Sequence, residues 1–489
     1  MCSLLGLPDE MIHQVCTSLS DIHHASLFEL VLVNKHLSRL VTPLLVRRWF
    51  VDPEKRKPPA IERLALHLLR HPGFRKEVKH VQFASVQTAA EHHDTTPLIT
   101  SQELEQLSLA VHGAWPALAE STDWADQIRN GIKDALATLI LCWTPNLTSF
   151  ELSVPHFWPG QGPELLLLQF VGQVIRQFKS SGPHWALGAL PLLELRSVTY
   201  SHWDTENTTE GKFAAPFFHL PKLKTFMGFK FGMGGYDGDE DDSLDHQQDD
   251  GSSSPSARHQ YMTDFPIGTS TVEELIIYDA DVTVDALSTL VRACRRLTVL
   301  DFELAGFLEH LEDSELRTNA LAQVIMYHAE TLKVLRLRFE QSLFVEYKED
   351  LADGPVRFGD CFRQLQQLES LAIEPSFLYE HDSAQSQFSH EMVLNRLPPS
   401  LHHLRFETDA VALNDSTSSA KVDNWINSFQ GLIKECRPDG LLPNLRHFDL
   451  RDMLIDKPGA ESIVRLKTMA EDRGVRLGLQ TLRVWEPPN

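Results

Sequence analysis

The sequence is poor in positive charge, in cysteine and in long apolar runs. Lysine and arginine total 45 against 67 aspartates and glutamates, for a formal charge of −22. A nucleic-acid binder carries a basic stripe or domain, and an anionic membrane surface attracts basic segments. The composition therefore argues against both partners. Cys2, Cys16, Cys142, Cys294, Cys361 and Cys436 are scattered, and no Cys-x-x-Cys occurs. That usage fits buried thiols in a reducing compartment, not a disulfide framework or a zinc site. The longest apolar stretches, such as 135–143, fall far short of the ~20 residues a membrane helix needs. No basic run precedes an apolar one at the N-terminus, so no signal peptide is expected. The expected location is cytoplasmic or nuclear.

Catalytic constellations are missing too. There is no Gly-rich phosphate loop, no Gly-x-Ser-x-Gly and no His-Glu-x-x-His. The pairs His23-His24, His92-His93 and His402-His403 lack a spacing to acids that would suggest a metal, and read as surface histidines. Neither a cofactor, a metal nor a catalytic residue is expected.

What is present is a recurring strand pattern, apolar-x-x-apolar-x-apolar. It fits Val78/Val81/Phe83, Leu147/Phe150/Leu152, Leu195/Val198/Tyr200 and Val272/Leu275/Ile277. It fits again at Leu297/Leu300/Phe302, Leu332/Leu335/Leu337, Leu368/Leu371/Ile373, Leu401/Leu404/Phe406, Leu445/Phe448/Leu450 and Leu479/Leu482/Val484, with Leu223/Phe226/Gly228 a weaker match. The wide gap between Val78 and Leu147 is expected to hide one poorly matching repeat.

Helical faces lie between the strands. Ile128, Ile132, Leu136, Leu139 and Ile140 share one, as do Leu287, Leu290, Val291 and Cys294, and Trp425, Ile426, Phe429, Leu432, Ile433 and Cys436. Thr100-x-x-Glu103 reads as a capping box. Strand then helix, repeated, predicts an α/β chain. It resembles the leucine-rich repeat, whose period is 20–29 residues. The spacing of first anchors from Val272 onward runs from 25 to 44 residues. No fixed Asn or Cys follows each strand, so the usual side-chain ladder at the turn is missing. The expectation is an irregular leucine-rich-repeat-like solenoid over 61–489; unrelated β–α units in a doubly wound sheet are the other reading.

One segment belongs to no repeat. Residues 232–256 hold Asp237, Asp239, Glu240, Asp241, Asp242, Asp245, Asp249 and Asp250 and then a serine run, with almost nothing apolar. Such a composition cannot offset its ordering entropy and reads as a disordered insertion. It lacks the Asp-x-Asp-x-Asp-Gly spacing of a calcium loop.

The N-terminus is different in kind. Residues 1–50 read as three short helices, and 51–60, with Pro53, Pro58, Pro59 and Lys55-Arg56-Lys57, as a linker. Met11, Ile12, Val15, Cys16 and Leu19 recur on a helical period. Pro8 suits a first helical turn, and Asp9 and Glu10 suit its dipole. A unit of ~40 residues is at the lower limit for a core of its own. Leu7-Pro8-x-Glu10, Ile12, Val15, Leu19, Leu30, Val33-x-Lys35 and Arg39-Leu40 resemble the F-box, the adaptor-binding module of ubiquitin-ligase substrate receptors. Many F-boxes carry an aromatic where this chain has Leu37, which implies a smaller contact there. The passage after it is similar to the segment that follows the F-box in many fungal F-box proteins.

The resemblance implies a non-catalytic substrate receptor. Leu7, Pro8, Ile12, Val15, Leu19, Leu30, Val33 and Leu37 would meet a Skp-type adaptor and, through it, a cullin, while the solenoid would hold an unknown target protein. A repeat scaffold outside any ligase is the alternative. Between the apolar anchors, on the side expected to be concave, lie Arg336, Arg338, His403, Arg405, Arg446, His447, Arg451 and Arg483. Arginine pairs bidentately with carboxylate and phosphate. Arg336, Arg338, Arg405 and Arg451 are therefore the expected site for an acidic or phosphorylated target segment.

Overall fold

The computed structural model describes residues 6–50, 60–84, 86, 98–154, 165–181, 190–203, 207–233, 264–304, 318–339, 361–378, 390–407, 419–450 and 461–479. Almost all of the expected linker, nearly all of the acidic insertion, His92-His93, Arg451 and Arg483 lie outside them. The chain is mixed α/β with long parallel sheet, and it divides into two compact units.

The first unit is residues 1–229 with 239–271. It opens with α1 (Asp9–Ile22), α2 (Ala25–Val33) and α3 (Lys35–Val41). These are followed by β1 (Arg48–Trp49), α4 (Ile61–Arg70), β2 (His80–Phe83) and a helical run of α5 (Ser101–Ser108), α6 (Val111–Ala114), α7 (Pro116–Ser121), α8 (Trp124–Arg129) and α9 (Lys133–Trp143). Then come β3 (Ser149–Val154), α10 (Leu166–Ser181), β4 (Ser197–His202), β5 (Thr209–Glu210) and β6 (Thr225–Phe229). Strands β1, β2, β3, β4 and β6 pair in that order, all parallel. The second unit is residues 230–238 with 272–489. It runs β7 (Phe231–Met233), β8 (Glu274–Val282), α11 (Val284–Ala293), β9 (Val299–Leu304), α12 (Thr318–Met326), β10 (Val334–Phe339), α13 (Cys361–Gln364) and β11 (Ser370–Ile373). It ends with α14 (His390–Arg396), β12 (His403–Phe406), α15 (Ser419–Lys434), β13 (His447–Asp449), α16 (Glu461–Asp472) and β14 (Arg476–Gly478). Strands β7 to β14 pair in chain order, again parallel.

The anchor pattern has a direct physical basis. In every described match, both strand anchors and the apolar residue that precedes them are buried, from Val78/Val81/Phe83 to Leu445/Phe448/Leu450. Alternate strand residues point to opposite faces, so the residues between anchors fall on the other side of the sheet. The helices close over the anchor side: Leu287, Leu290 and Val291 of α11 and Ile426, Phe429, Leu432 and Ile433 of α15 are buried.

Three expectations are corrected, and one feature is added. Strand β2 pairs directly with β3, so no repeat strand lies between them in the sheet; the described residues of that interval form α5–α9. The face shared by Ile128 and Ile132 to Ile140 is two helices, because Gly131 turns the chain at φ +74 between α8 and α9. The last strand among the described residues is Arg476–Gly478, with Leu477 in register with Phe448, so Leu479 stands at the third anchor position and not at the first; Leu482 and Val484 lie outside the described residues. A side-chain ladder does exist, at the residue just before the first anchor. Thr271 Oγ1 donates to the Leu223 carbonyl at 2.8 Å, Thr331 Oγ1 to Leu297 at 2.7 Å and Ser400 Oγ to Leu368 at 2.8 Å. Asn146 Nδ2 and Asn444 Nδ2 likewise reach the Lys76 and Pro399 carbonyls at 2.9 and 3.0 Å. In these five places the bond ties a strand entry to the one before it.

The expected capping box forms: Thr100 Oγ1 accepts from the Glu103 N–H and Glu103 accepts from the Thr100 N–H. Cys16, Cys294, Cys361 and Cys436 are buried free thiols. Among the described residues no helix is long and apolar enough to cross a membrane.

Candidate functional site

The three N-terminal helices have a small core of Ile12, Cys16, Leu27, Leu37, Val41 and Leu44, with Leu7, Leu19, Leu30, Val31, Leu40 and Leu45 packed half-buried around it. Local chemistry fixes the corners. Asn34 caps α3 by accepting the Leu37 N–H at 2.9 Å. Asp9 binds Arg39 at 3.0 Å and His36 at 3.1 Å. His24, expected at the surface, is buried between Ser20 and the Leu45 carbonyl, each at 3.2 Å. Burial pushes its imidazole below the ordinary histidine range, the bond to Leu45 opposing and nearby Arg48 adding to that shift. Pro8 stands one residue outside α1, as its N-cap.

The helical period of α1 therefore divides in two. Ile12 and Cys16 face inward, whereas Met11 and Val15 are half exposed. Of the residues expected to meet an adaptor, Ile12 and Leu37 are buried in the helical core. Leu7, Leu19 and Leu30 are half-buried supports. Pro8, Val15 and Val33 remain at the surface. Beside them stand residues that were not singled out as contacts: Met11, Ile22, Phe28 and Leu32, the last 85% exposed. Met11, Val15 and Ile22 fall on one stripe of α1, and Phe28 and Leu32 on one stripe of α2, by helical spacing. These residues leave apolar surface on α1 and α2. The available signal was the excess of apolar positions over what one inward stripe can use.

The second candidate is the polar strand face of the second unit. Register places Asp301, Arg336, Ala372, Arg405, Asp449 and Gly478 in one row, with Glu303 and Arg338 two residues on. Of the expected arginines, Arg336, Arg338 and Arg405 share this face; Arg451 lies outside the described residues. Each of the three is paired with carboxylates of the same face. Asp301, whose side chain is 3% exposed, accepts from Arg336 at 3.2 Å, Arg338 at 2.9 Å and the Tyr278 hydroxyl at 3.0 Å. Arg338 also contacts Glu303 at 2.7 Å and Glu407 at 3.7 Å and lies over the Tyr278 ring at 4.8 Å. Arg405 pairs with Glu407 at 3.1 Å. Burial alone would lower the Arg338 pKa; Asp301, Glu303 and Glu407 outweigh it and hold the guanidinium well above its ordinary range. The sequence put Asp301 and Glu303 next to the arginines only by chain order. Their pairing needs the parallel register.

Further along the same face, β12, β13 and β14 line a cavity of about 390 Å³. His403, His447 and Arg476 are register partners there, one row below Arg405, Asp449 and Gly478. The two imidazole rings meet edge to face at 5.8 Å. Burial lowers the His403 pKa; Asp449 opposes this, while His447, Arg336 and Arg405 reinforce it. Among the described residues no cluster of His, Cys, Asp and Glu could hold a metal ion.

Comparison with known proteins adds nothing to this geometry: no protein-family model matches the chain, and no curated protein matches it.

Proposed function

We propose that the chain is a substrate-recognition subunit of a Skp–cullin–F-box type ubiquitin ligase, with a leucine-rich-repeat-like solenoid behind an F-box. The N-terminal helices dock the Skp-type adaptor and bring a cullin with it. The polar strand face of the second unit holds the target protein. The receptor acts by raising the effective concentration of target lysines near the charged ubiquitin carrier and performs no covalent step itself.

The observation that carries this reading is the apolar surface on α1 and α2. Pro8, Val15 and Val33 belong to the F-box-like motif and stay outside the helical core. An isolated cap would turn such residues inward or replace them with polar ones, since burying each is worth roughly 1.5–3 kcal/mol. A partner that covers them gains that free energy instead. The ladder of polar residues before each first anchor supports the repeat part of the reading. A repeat scaffold outside any ligase shares the second half of this proposal and lacks the first.

The test is co-purification of adaptor with the full chain. Val15→Glu and Leu32→Glu leave the core of Ile12, Cys16 and Leu37 intact. The pair is expected to remove the adaptor from the recovered material while the thermal midpoint stays unchanged. Adaptor recovery equal to wild type, or no adaptor with the wild-type chain, rejects the ligase reading.

A further inference from the structure

We propose that the cavity across β12, β13 and β14 is a binding site for a single oxyanion, a carboxylate or phosphoryl group, held by Arg476, His447 and His403. The proposal stands apart from the adaptor reading, because it concerns one cavity of this chain and is measured on the chain alone.

Three observations converge on it. The first is a contrast within one face. On β9 to β12 each arginine of the polar face has a carboxylate within ion-pair distance, from Asp301 to Glu407. On β14 no carboxylate pairs with Arg476 among the described residues. The second is placement. His403, His447 and Arg476 are consecutive partners in register, so their side chains leave the sheet on the same side at successive strand spacings of ~4.8 Å. Arg476 and His447 are exposed, and His403 is half-buried at the inner end of the row. The third is room. The cavity these three residues line has a volume of about 390 Å³, ample for a tetrahedral anion and the group that carries it.

The floor beside them is shaped by Gly478. A Cβ at that position would come within 2.6 Å of Asp449 Oδ1. Glycine thus lets the Asp449 carboxylate lie flat along β14 beneath the row, where it is buried. The groups that face His403 are Asp449 and His447 of β13, Arg405 of its own strand and Arg336 of β10. Burial holds His403 toward its neutral form, so in the free protein that ring adds little positive charge beside Arg476. An oxyanion entering the cavity favours protonated His403 and binds more tightly as pH falls. Guanidinium supplies a planar donor fork for two oxygens, and each imidazole adds one donor.

The experiment is calorimetric titration of the full chain with sulfate, whose charge is constant between pH 6 and 8. One saturable site is expected, several-fold tighter at pH 6 than at pH 8. Arg476→Gln is expected to weaken it at least tenfold and His447→Gln several-fold. Lys333→Gln, at a surface pair remote in register, is expected to leave it unchanged. Competition by acetate at the same site identifies a carboxylate as the natural group. Its absence identifies a phosphoryl group. If Arg476→Gln lowers the thermal midpoint, the exposed His447→Gln carries the test by itself. Failure of sulfate and acetate alike to saturate the wild-type chain, or equal affinity in wild type and both variants, overturns the proposal.

Discussion

Asp301 is the residue on which the ionic network of the second unit turns, and Asp301→Asn isolates its charge. Its carboxylate is 3% exposed and accepts three hydrogen bonds, from Arg336, Arg338 and Tyr278. Asparagine keeps the shape. Its carbonyl oxygen can still accept, but its amide then points donors at a guanidinium. Removing one partner of a fully buried ion pair costs about 3–5 kcal/mol. Here the two guanidinium side chains are 45% and 27% exposed, so solvent recovers part of that loss. The expected destabilisation of the second unit is about 2–3 kcal/mol. For a domain of 150–250 residues that corresponds to a fall in midpoint of roughly 5–10 °C. Urea and thermal unfolding of the full chain measure it. Double-mutant cycles apportion it: the coupling of Asp301 to the less exposed Arg338 is expected to exceed its coupling to Arg336. A loss below about 0.5 kcal/mol would refute the reasoning, because such a value is that of an exposed surface pair. Equal couplings to both arginines would refute the assignment of Arg338 as the principal partner.

Asp134 gives a pH prediction. It is fully buried and accepts the N–H groups of Leu166 and Leu167, at the start of α10. Burial raises its pKa to about 7, against the pull of those two bonds. A raised folded-state pKa stabilises below the unfolded value and loses that contribution as pH rises through about 7. Asp134→Asn is therefore expected to gain on wild type between pH 4 and pH 8, by at most about 4 kcal/mol; a constant difference across that range rejects the assignment. The ladder gives a further prediction. Thr331→Val removes the bond to the Leu297 carbonyl while keeping shape, and is expected to cost about 1 kcal/mol in denaturant unfolding; no change would show the ladder to be ornamental.

The sequence by itself determined several features whose physics is local, though not the turn at Gly131 between α8 and α9. Alternation of period two marked the strand anchors, and each described one is buried. The i, i+3, i+4 spacing marked α11 and α15, and Thr100-x-x-Glu103 marked the start of α5. These signals lie within a few residues, where backbone geometry alone decides which side chains share a face.

The tertiary structure decided what depends on distant partners. Met11 and Ile12 are both apolar on one helix, yet only packing against Leu27, Leu37 and Val41 settles that Ile12 is inside and Met11 outside. Arg336 and Asp301 are 35 residues apart, and parallel register is what makes them a pair. The same register set Arg476 beside His447. A repeat whose helices vary in length leaves no fixed spacing from which such neighbours can be counted. The sheet spacing, not the chain, brings these charges within reach of one another.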